Sequence, residues 1–292
     1  MDLLLQQLYN GVLIGSTYAL VALGFTLVLG TLDLLNFAHG ETIMLAAYAG
    51  LAALIVSGGS LPLALVVAVA TGALLGGLVY LGSFRFVSKK YWTAPALSTV
   101  GIALIMQTGA TRLWGTEQRA VPDPLGDTHL QIGPVTVGLS HLLILGITIA
   151  LMVGLHLLLR RTRLGKAMRA VAENHTTAAL LGVPVERTIA FTFLISGVLA
   201  GAAGALTSLV YHTITPFIGL NILLKGMTGM VIGGLGNVYG AMLGGVLVGV
   251  LEVLAVGYLS SSYQDVLVFA ALIAVLAFRP AGIFGVQIRD RA

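Results

Sequence analysis

Residues 61–84 read LPLALVVAVATGALLGGLVYLGSF, without one charged side chain. The run extends toward the N-terminus: from Leu3 to Phe84 the only ionisable side chains besides tyrosine are Asp33, His39 and Glu41. Such a stretch cannot be the core of a water-soluble fold, because no polar face is left to meet solvent. The whole chain follows suit. Charged residues make up 9% and hydrophobic residues 58%, where soluble domains carry about a quarter charged. Mean hydropathy is +1.00. Lipid offers the backbone no hydrogen-bond partners, and the segments lack the period-2 alternation of barrel strands, so the spans are helices. The expected fold is an all-α polytopic membrane protein, one transmembrane domain over residues 1–292.

Apolar spans fall at roughly 7–29, 40–57, 61–84, 93–113, 139–159, 188–210, 222–257 and 263–279, a bundle of about eight helices. The seventh is too long for one crossing of about 20 residues, so it is either two short helices or a broken one, giving nine or ten helical segments. Basic residues set the orientation. Arg85, Lys89 and Lys90 share one acid-free loop; Arg160, Arg161, Arg163, Lys166 and Arg169 share another; Arg279, Arg289 and Arg291 mark the tail. All three are assigned to the cytoplasm. The loop 114–138 then lies outside, with Arg119 balanced by Glu117, Asp123 and Asp127, and with Pro122, Pro124, Gly126, Gly133 and Pro134 making it turn-rich. Three crossings before Arg85 put the N-terminus outside, unless a re-entrant element near 32–40 changes the count. Met-Asp-Leu-Leu-Leu lacks the basic leader of a signal peptide, so the first span is retained.

The cytoplasmic segment 160–187 is long, basic and water-compatible, wedged between two apolar spans. It ends in Gly182-Val-Pro184, a helix stop in which glycine takes the left-handed cap and proline cannot continue. It reads either as a docking surface for a soluble partner or as a charged loop that orients its flanking spans. Two further places break the apolar pattern. Gly30–Glu41 puts Asp33, Asn36, His39 and Glu41 between spans one and two, where ionisable groups cost about 2.5–3.5 kcal/mol on insertion scales. They line a transport path, or they form an interfacial turn that caps the next helix. In Lys225–Gly245, the pairs Gly229/Gly233, Gly236/Gly240 and Gly240/Gly244 are each four apart, as are Gly11/Gly15, Gly72/Gly76 and Gly197/Gly201 elsewhere. That spacing stacks small faces for close helix packing, or it marks a hinge or unwound substrate site.

No catalytic constellation is present. His39-Gly-Glu41 lacks the second histidine of a zinc-protease helix, and no G-x-S-x-G elbow occurs. Gly165-Lys166 is not a phosphate loop, because Arg160 stands where the first glycine would and Ala167 replaces the magnesium-binding hydroxyl. Zero cysteines exclude disulfides and thiolate sites, and the six histidines show no metal-ligand spacing. A sequence pI near 9.5 would suggest nucleic acid in a soluble protein. Here the positive-inside bias accounts for it, and no nucleic-acid partner is expected.

The chain resembles the permease subunits of branched-chain amino acid ABC importers, specifically the LivH-type half of the pair. The resemblance covers nearly the whole length. It rests on Asn10-Gly-Val-Leu-Ile-Gly-Ser-Thr-Tyr-Ala-Leu-Val-Ala-Leu-Gly24, on Leu35-Asn-Phe-Ala-His-Gly-Glu41, and on Thr162-Arg-Leu-Gly-Lys-Ala-Met-Arg-Ala-Val-Ala-Glu173 with Ala179-Leu-Leu-Gly-Val183. Lys225-Gly-Met-Thr228, Gly233-Gly-Leu-Gly236 and Arg279-Pro-Ala-Gly-Ile283 complete it. The resemblance implies a non-enzymatic permease whose segment 160–187 is a coupling helix inserted into an ATPase subunit. That role falls on Gly165, Arg169, Ala170, Glu173, Ala178 and Gly182. It also implies a homologous second (LivM-like) permease, two ABC ATPases that carry ATP and magnesium, a periplasmic solute-binding protein, and a site in the bacterial inner membrane. This chain would bind no cofactor itself. The implied cargo is a branched-chain or other hydrophobic amino acid; relatives with the same wording move urea, short amides or aromatic acids. The translocation path is expected at Asn36, His39 and Glu41 with Met227, Thr228, Met230 and Gly233.

Two rival classes remain. An ion-coupled secondary transporter would also show glycine-broken helices, and would need an ion site for which Glu41, Lys225 and Glu252 are the intramembrane candidates. A membrane-embedded enzyme lacks any nucleophile or metal set. Neighbouring reading frames for two P-loop ATPases and a secreted binding protein would separate the importer from the carrier.

Overall fold

The structure is a computed structural model that describes residues 2–87, 93–126, 129–133 and 135–285. Lys89, Lys90, Asp127, Pro134, Arg289 and Arg291 lie outside the described residues. The chain runs α1 (Asp2–Leu32), α2 (Ala38–Val56), α3 (Leu61–Val79, continued by a π turn Tyr80–Arg85), α4 (Thr93–Trp114), β1 (Arg119–Ala120), β2 (His129–Ile132), β3 (Val135–Gly138), α5 (Leu139–Arg161), α6 (Arg163–Glu173), α7 (His175–Leu180), α8 (Val185–Tyr211), β4 (Thr213–Ile214), α9 (Ile218–Gly233), α10 (Val238–Tyr258) and α11 (Gln264–Phe278). Among the described residues, seven helices are long and apolar enough to cross a membrane. α4 has the length, but its Thr, Ser, Gln and Arg residues leave it outside that set, and α9 is shorter. The protein is a multi-pass membrane protein.

Helix ends sort to two faces. The ends of α1, α3 and α5, all of α6 and α7, the start of α8, the α9–α10 turn and Arg279 share one face, which carries most of the described basic residues. His175 Nε2 lies 2.7 Å from the Thr31 carbonyl, and the Tyr80 hydroxyl donates to the Glu186 carbonyl at 3.2 Å. On the opposite face Gln6 holds the β2–β3 hairpin through Thr136, and β1 pairs antiparallel with β4, Arg119 against Ile214. The loop 114–138 is thus a compact excursion fastened to both α1 and the α8–α9 connection.

Backbones meet directly inside the bundle. A Cβ on Gly249 of α10 would strike the Gly15 backbone of α1, one on Gly72 of α3 would strike Gly197 and Gly201 of α8, and one on Gly204 of α8 would strike Ile43 of α2. Close approach of this kind replaces the hydrophobic drive that lipid removes. Several hydroxyls within the spans bond back to their own helix, as Thr26 does to Ala22, Thr42 to Ala38 and Thr192 to Thr188.

The 222–257 span resolves as two helices. α9 and α10 fold into an antiparallel hairpin, Gly229 against Gly244 and Gly245, Gly233 against Gly240. The turn between them uses Gly234 (φ 120°) and Gly236 (φ 75°), conformations closed to most side chains. Asn237 caps α10, accepting from Tyr239 and Gly240 amides. Gly236 therefore serves the turn, not a packing stripe. The tail covers this tip: the Ile283 and Phe284 amides donate to Ile232 and Gly233 carbonyls, at 2.8 and 3.0 Å.

The glycine contacts give a contrast that can be measured. Gly249→Ala forces α1 from α10 and is expected to cost about 1–3 kcal/mol, seen as a lower midpoint of thermal unfolding in detergent. Gly154→Ala, in α5 with open space around the added methyl, should leave that midpoint unchanged or raise it slightly.

Candidate coupling and translocation sites

The segment after α5 forms two short helices where a single coupling helix within 160–187 is expected. Asn174 is the reason: its backbone is extended (φ −164°, ψ 117°), and its side chain accepts from the Thr177 amide at 2.8 Å, ending α6 and capping α7. Thr162 likewise caps α6 through the Gly165 amide at 3.0 Å. α7 stops where the sequence says, with Gly182 at φ 82° and the Val183 amide returning to the Ala178 carbonyl.

α6 is amphipathic, with Gly165, Met168 and Val171 turned inward. Gly165 sits on the Leu158–Leu159 backbone with no room for a Cβ, which locks α6 against the last turn of α5. Arg169 and Glu173 are exposed, Ala170 is half-buried and Ala178 is buried. Three residues escaped the sequence reading. Leu180 and Leu181 are 84% and 78% exposed at the end of α7, an apolar tip beside Gly182. His175 binds the Thr31 carbonyl and so ties α7 to the end of α1.

From Thr31 the chain turns through Asp33, held at φ 53°, and climbs back into the bundle as coil. α2 starts inside, where the His39 ring lies against Gly24 of α1, eight residues or about 12 Å short of the end of α1. No extra crossing results. Asn36 Oδ1 accepts from the Ala38 amide at 3.2 Å, and the Phe37 amide donates to Thr99 of α4 at 3.0 Å. His39 Nδ1 lies 3.4 Å from Ser196 Oγ, which itself donates to the Gly24 carbonyl. Glu41 is buried, its Oε2 without a hydrogen-bond partner among the described residues, and Gly219 of α9 is pressed against Gly40 and that oxygen. Asn36 thus caps α2, as one reading of the break expects, and Glu41 is an acid buried in the bundle.

The second expected stretch is placed differently. Thr228 and Met230 are almost fully buried, Met227 is half-buried, and Gly229 and Gly233 face the α10 backbone. Here the glycines pack helices. The start of α9, at Gly219 and Leu223, is what touches the 36–41 break, with Met227–Gly233 carried further along against α10 and α1. Lys225, one turn earlier, makes a 2.6 Å ion pair with Glu252 of α10, joining two of the three intramembrane ionisable residues noted in the sequence.

Residues 7–276 match the family described as branched-chain amino acid transport system / permease component. The chain is 36% identical to the high-affinity branched-chain amino acid transport system permease protein LivH of Escherichia coli K12, over 96% of this chain and 95% of that protein. BraD of Pseudomonas aeruginosa, a permease protein of the same description, is equally similar at 36% over 96% and 95%. The autoinducer 2 import system permease protein LsrD of Escherichia coli is more distant, 26% identical over 93% and 83%. Among solved structures, a metal-chelate type ABC transporter in an inward-facing conformation superposes with a TM-score of 0.56 over 94% of this chain and 85% of that one. At 17% identity it speaks for the fold alone. Fold, length and motifs agree: the chain belongs to the family of permease components of branched-chain amino acid transport systems, a transporter subunit and not an enzyme.

Proposed function

We propose that this chain is the LivH-like permease subunit of a bacterial inner-membrane importer for branched-chain or similar hydrophobic amino acids. It pairs with a homologous LivM-like permease, two ATPases that hold ATP and magnesium, and a periplasmic binding protein. The single observation that carries the coupling role is the α6–α7 unit. It is capped at both helices, exposes Arg169, Glu173, Leu180 and Leu181, and is bonded to Thr31 at the entrance of the 33–41 break. A soluble partner that grips Leu180 and Leu181 would pull on His175, and through Thr31 on the Asp33 turn and the start of α2. The positive-inside rule assigns that basic face to the cytoplasm.

Gly165, Arg169, Ala170, Glu173, Ala178 and Gly182 are the coupling residues in this reading. Gly165 and Ala178 fit the unit to the bundle, Gly182 ends it, and Arg169, Ala170 and Glu173 meet the ATPase. Arg169→Glu or Glu173→Lys should lower ATP hydrolysis and uptake by the assembled importer while membrane insertion stays normal, since rim charges change docking more than folding. Cysteines at 170–178 should cross-link to the ATPase. Their labelling from outside intact cells would reverse the topology and defeat the assignment.

The loop 114–138 would lie outside and receive the binding protein. Removing residues 120–130 is expected to weaken stimulation by the binding protein more than basal ATP hydrolysis. Equal loss of both would make the loop a structural clamp for the α1 and α8 ends.

The path for the solute runs past Asn36, His39 and Glu41, with Met227, Thr228, Met230 and Gly233 as its more apolar continuation. A buried acid inside a span, with Oε2 unpartnered among the described residues, is the support for Glu41. Weak contacts suffice there, because the binding protein supplies affinity. Glu41→Gln should slow uptake severalfold in importers that assemble normally, and wild-type rates would remove Glu41 from the path; Gly233→Leu would strike the α10 backbone at Gly240 and so tests the α9–α10 packing instead.

A further inference from the structure

A second polar site lies at the opposite face, away from the 33–41 break. Between α1, α5, α8, α10 and α11 is a cavity of about 410 Å³, within the ~300–1,000 Å³ range of small-molecule sites. Its open end is formed by the start of α1 and the end of α10, the same face as the β2–β3 hairpin. Leu13, Ile14, Val210, Val253 and Val256 supply apolar wall, and Glu252 stands among them.

Glu252 is 4% exposed. Its Oε1 accepts from Lys225 Nζ at 2.6 Å, and Oε2 has no hydrogen-bond partner among the described residues. Lys225 is also 3.4 Å from Asp265 Oδ1 and sits over the Tyr18 ring at 5.7 Å. One ammonium thus serves two carboxylates, leaving the cluster one negative charge in excess when all three are ionised. The Tyr18 and Tyr211 hydroxyls, bonded to each other, lie beside Glu252 and add no positive charge. Burying an ion pair costs desolvation that packing alone would avoid, and a free carboxylate oxygen adds to that cost. An incoming cation relieves both.

We propose that this cavity is an external receiving subsite for the amino group of the transported amino acid, with the Glu252 carboxylate as the acceptor. The α-ammonium would donate to that carboxylate and cancel the excess charge. The aliphatic side chain would lie on the Val253–Val256 wall of α10. Lys225 positions Glu252 and stays behind it. The inference rests on the branched-chain amino acid reading above, and adds to it where on this chain the solute is first held and which of its groups is recognised.

The test uses the full importer with one cysteine, Val256→Cys, in this otherwise cysteine-free chain, in a cysteine-free background. A membrane-impermeant maleimide applied to intact cells should label it. L-leucine and 3-methylbutylamine should slow labelling; 4-methylpentanoate, which keeps the carbon skeleton and lacks the amine, should not. Glu252→Gln should raise the leucine concentration needed for protection by about tenfold or more, the range for losing a charge-assisted hydrogen bond. Should Glu252→Gln fail to assemble, Val256→Trp fills the cavity with the ion pair intact and is expected to cut leucine uptake about tenfold. No labelling from outside, equal protection by the acid, equal protection by sodium ions, or full uptake by Val256→Trp would each overturn the subsite. Wild-type importer that takes up no leucine, isoleucine or valine would instead defeat the substrate reading, and the subsite with it.

Discussion

Contact between helix backbones is the constraint on which the rest of this molecule depends. Lipid tails are as apolar as leucine, so helices in a bilayer gain little by hiding leucine from their surroundings and gain instead by approaching closely. Gly15 on Gly249, Gly72 on Gly197 and Gly40 on Gly219 are places where the distance is set by the absence of a side chain. These contacts fix α1 and α8 at the centre and leave α5 and α11 at the periphery, mostly uncovered. They also bring buried polar groups to defined neighbours: Gly219 can reach Glu41 only because Gly40 has no Cβ, and α9 can present Lys225 to Glu252 only because Gly229 and Gly233 let α10 lie alongside.

Two polar features follow from that frame, one toward each face. Near the basic face, α2 begins inside the bundle, and the chain reaching it passes Thr31, where His175 holds on. A movement of α6–α7 therefore has a short covalent and hydrogen-bonded route to the buried start of α2. Toward the other face, Lys225, Glu252 and Asp265 draw three helices together around one cation. The Gly165-Lys166 pair is a close-packed corner against Leu158 and Leu159.

Much of this was legible in the sequence. The charge-free run from Leu3 to Phe84 implies helices in lipid, the excess length of 222–257 implies a break, and Gly182 before Pro184 implies a stop. Each depends on local chemistry or on a length set by membrane thickness. Other features depend on contacts between residues far apart in the chain. The pairing of Arg119 with Ile214 and the Lys225–Glu252 ion pair have no local signature. The extended backbone at Asn174 does have one, since asparagine competes with helices by capping the next turn. Its alanine-rich surroundings outweighed that signal. The glycines of 229–245 could be read as packing or as a hinge; the partners Gly240, Gly244 and Gly245 decide for packing along the helices, and Gly234 and Gly236 alone make a turn.

The central claim is that this chain forms part of an ATP-driven path for branched-chain amino acids. The direct measurement is uptake of radiolabelled leucine, isoleucine and valine into proteoliposomes holding this chain with its partner permease and ATPases, ATP inside and binding protein outside. Uptake should need both ATP and binding protein, be unaffected by collapsing ion gradients, and be competed by the other branched-chain amino acids but not by urea. Uptake that runs on a sodium or proton gradient without ATP would contradict the claim.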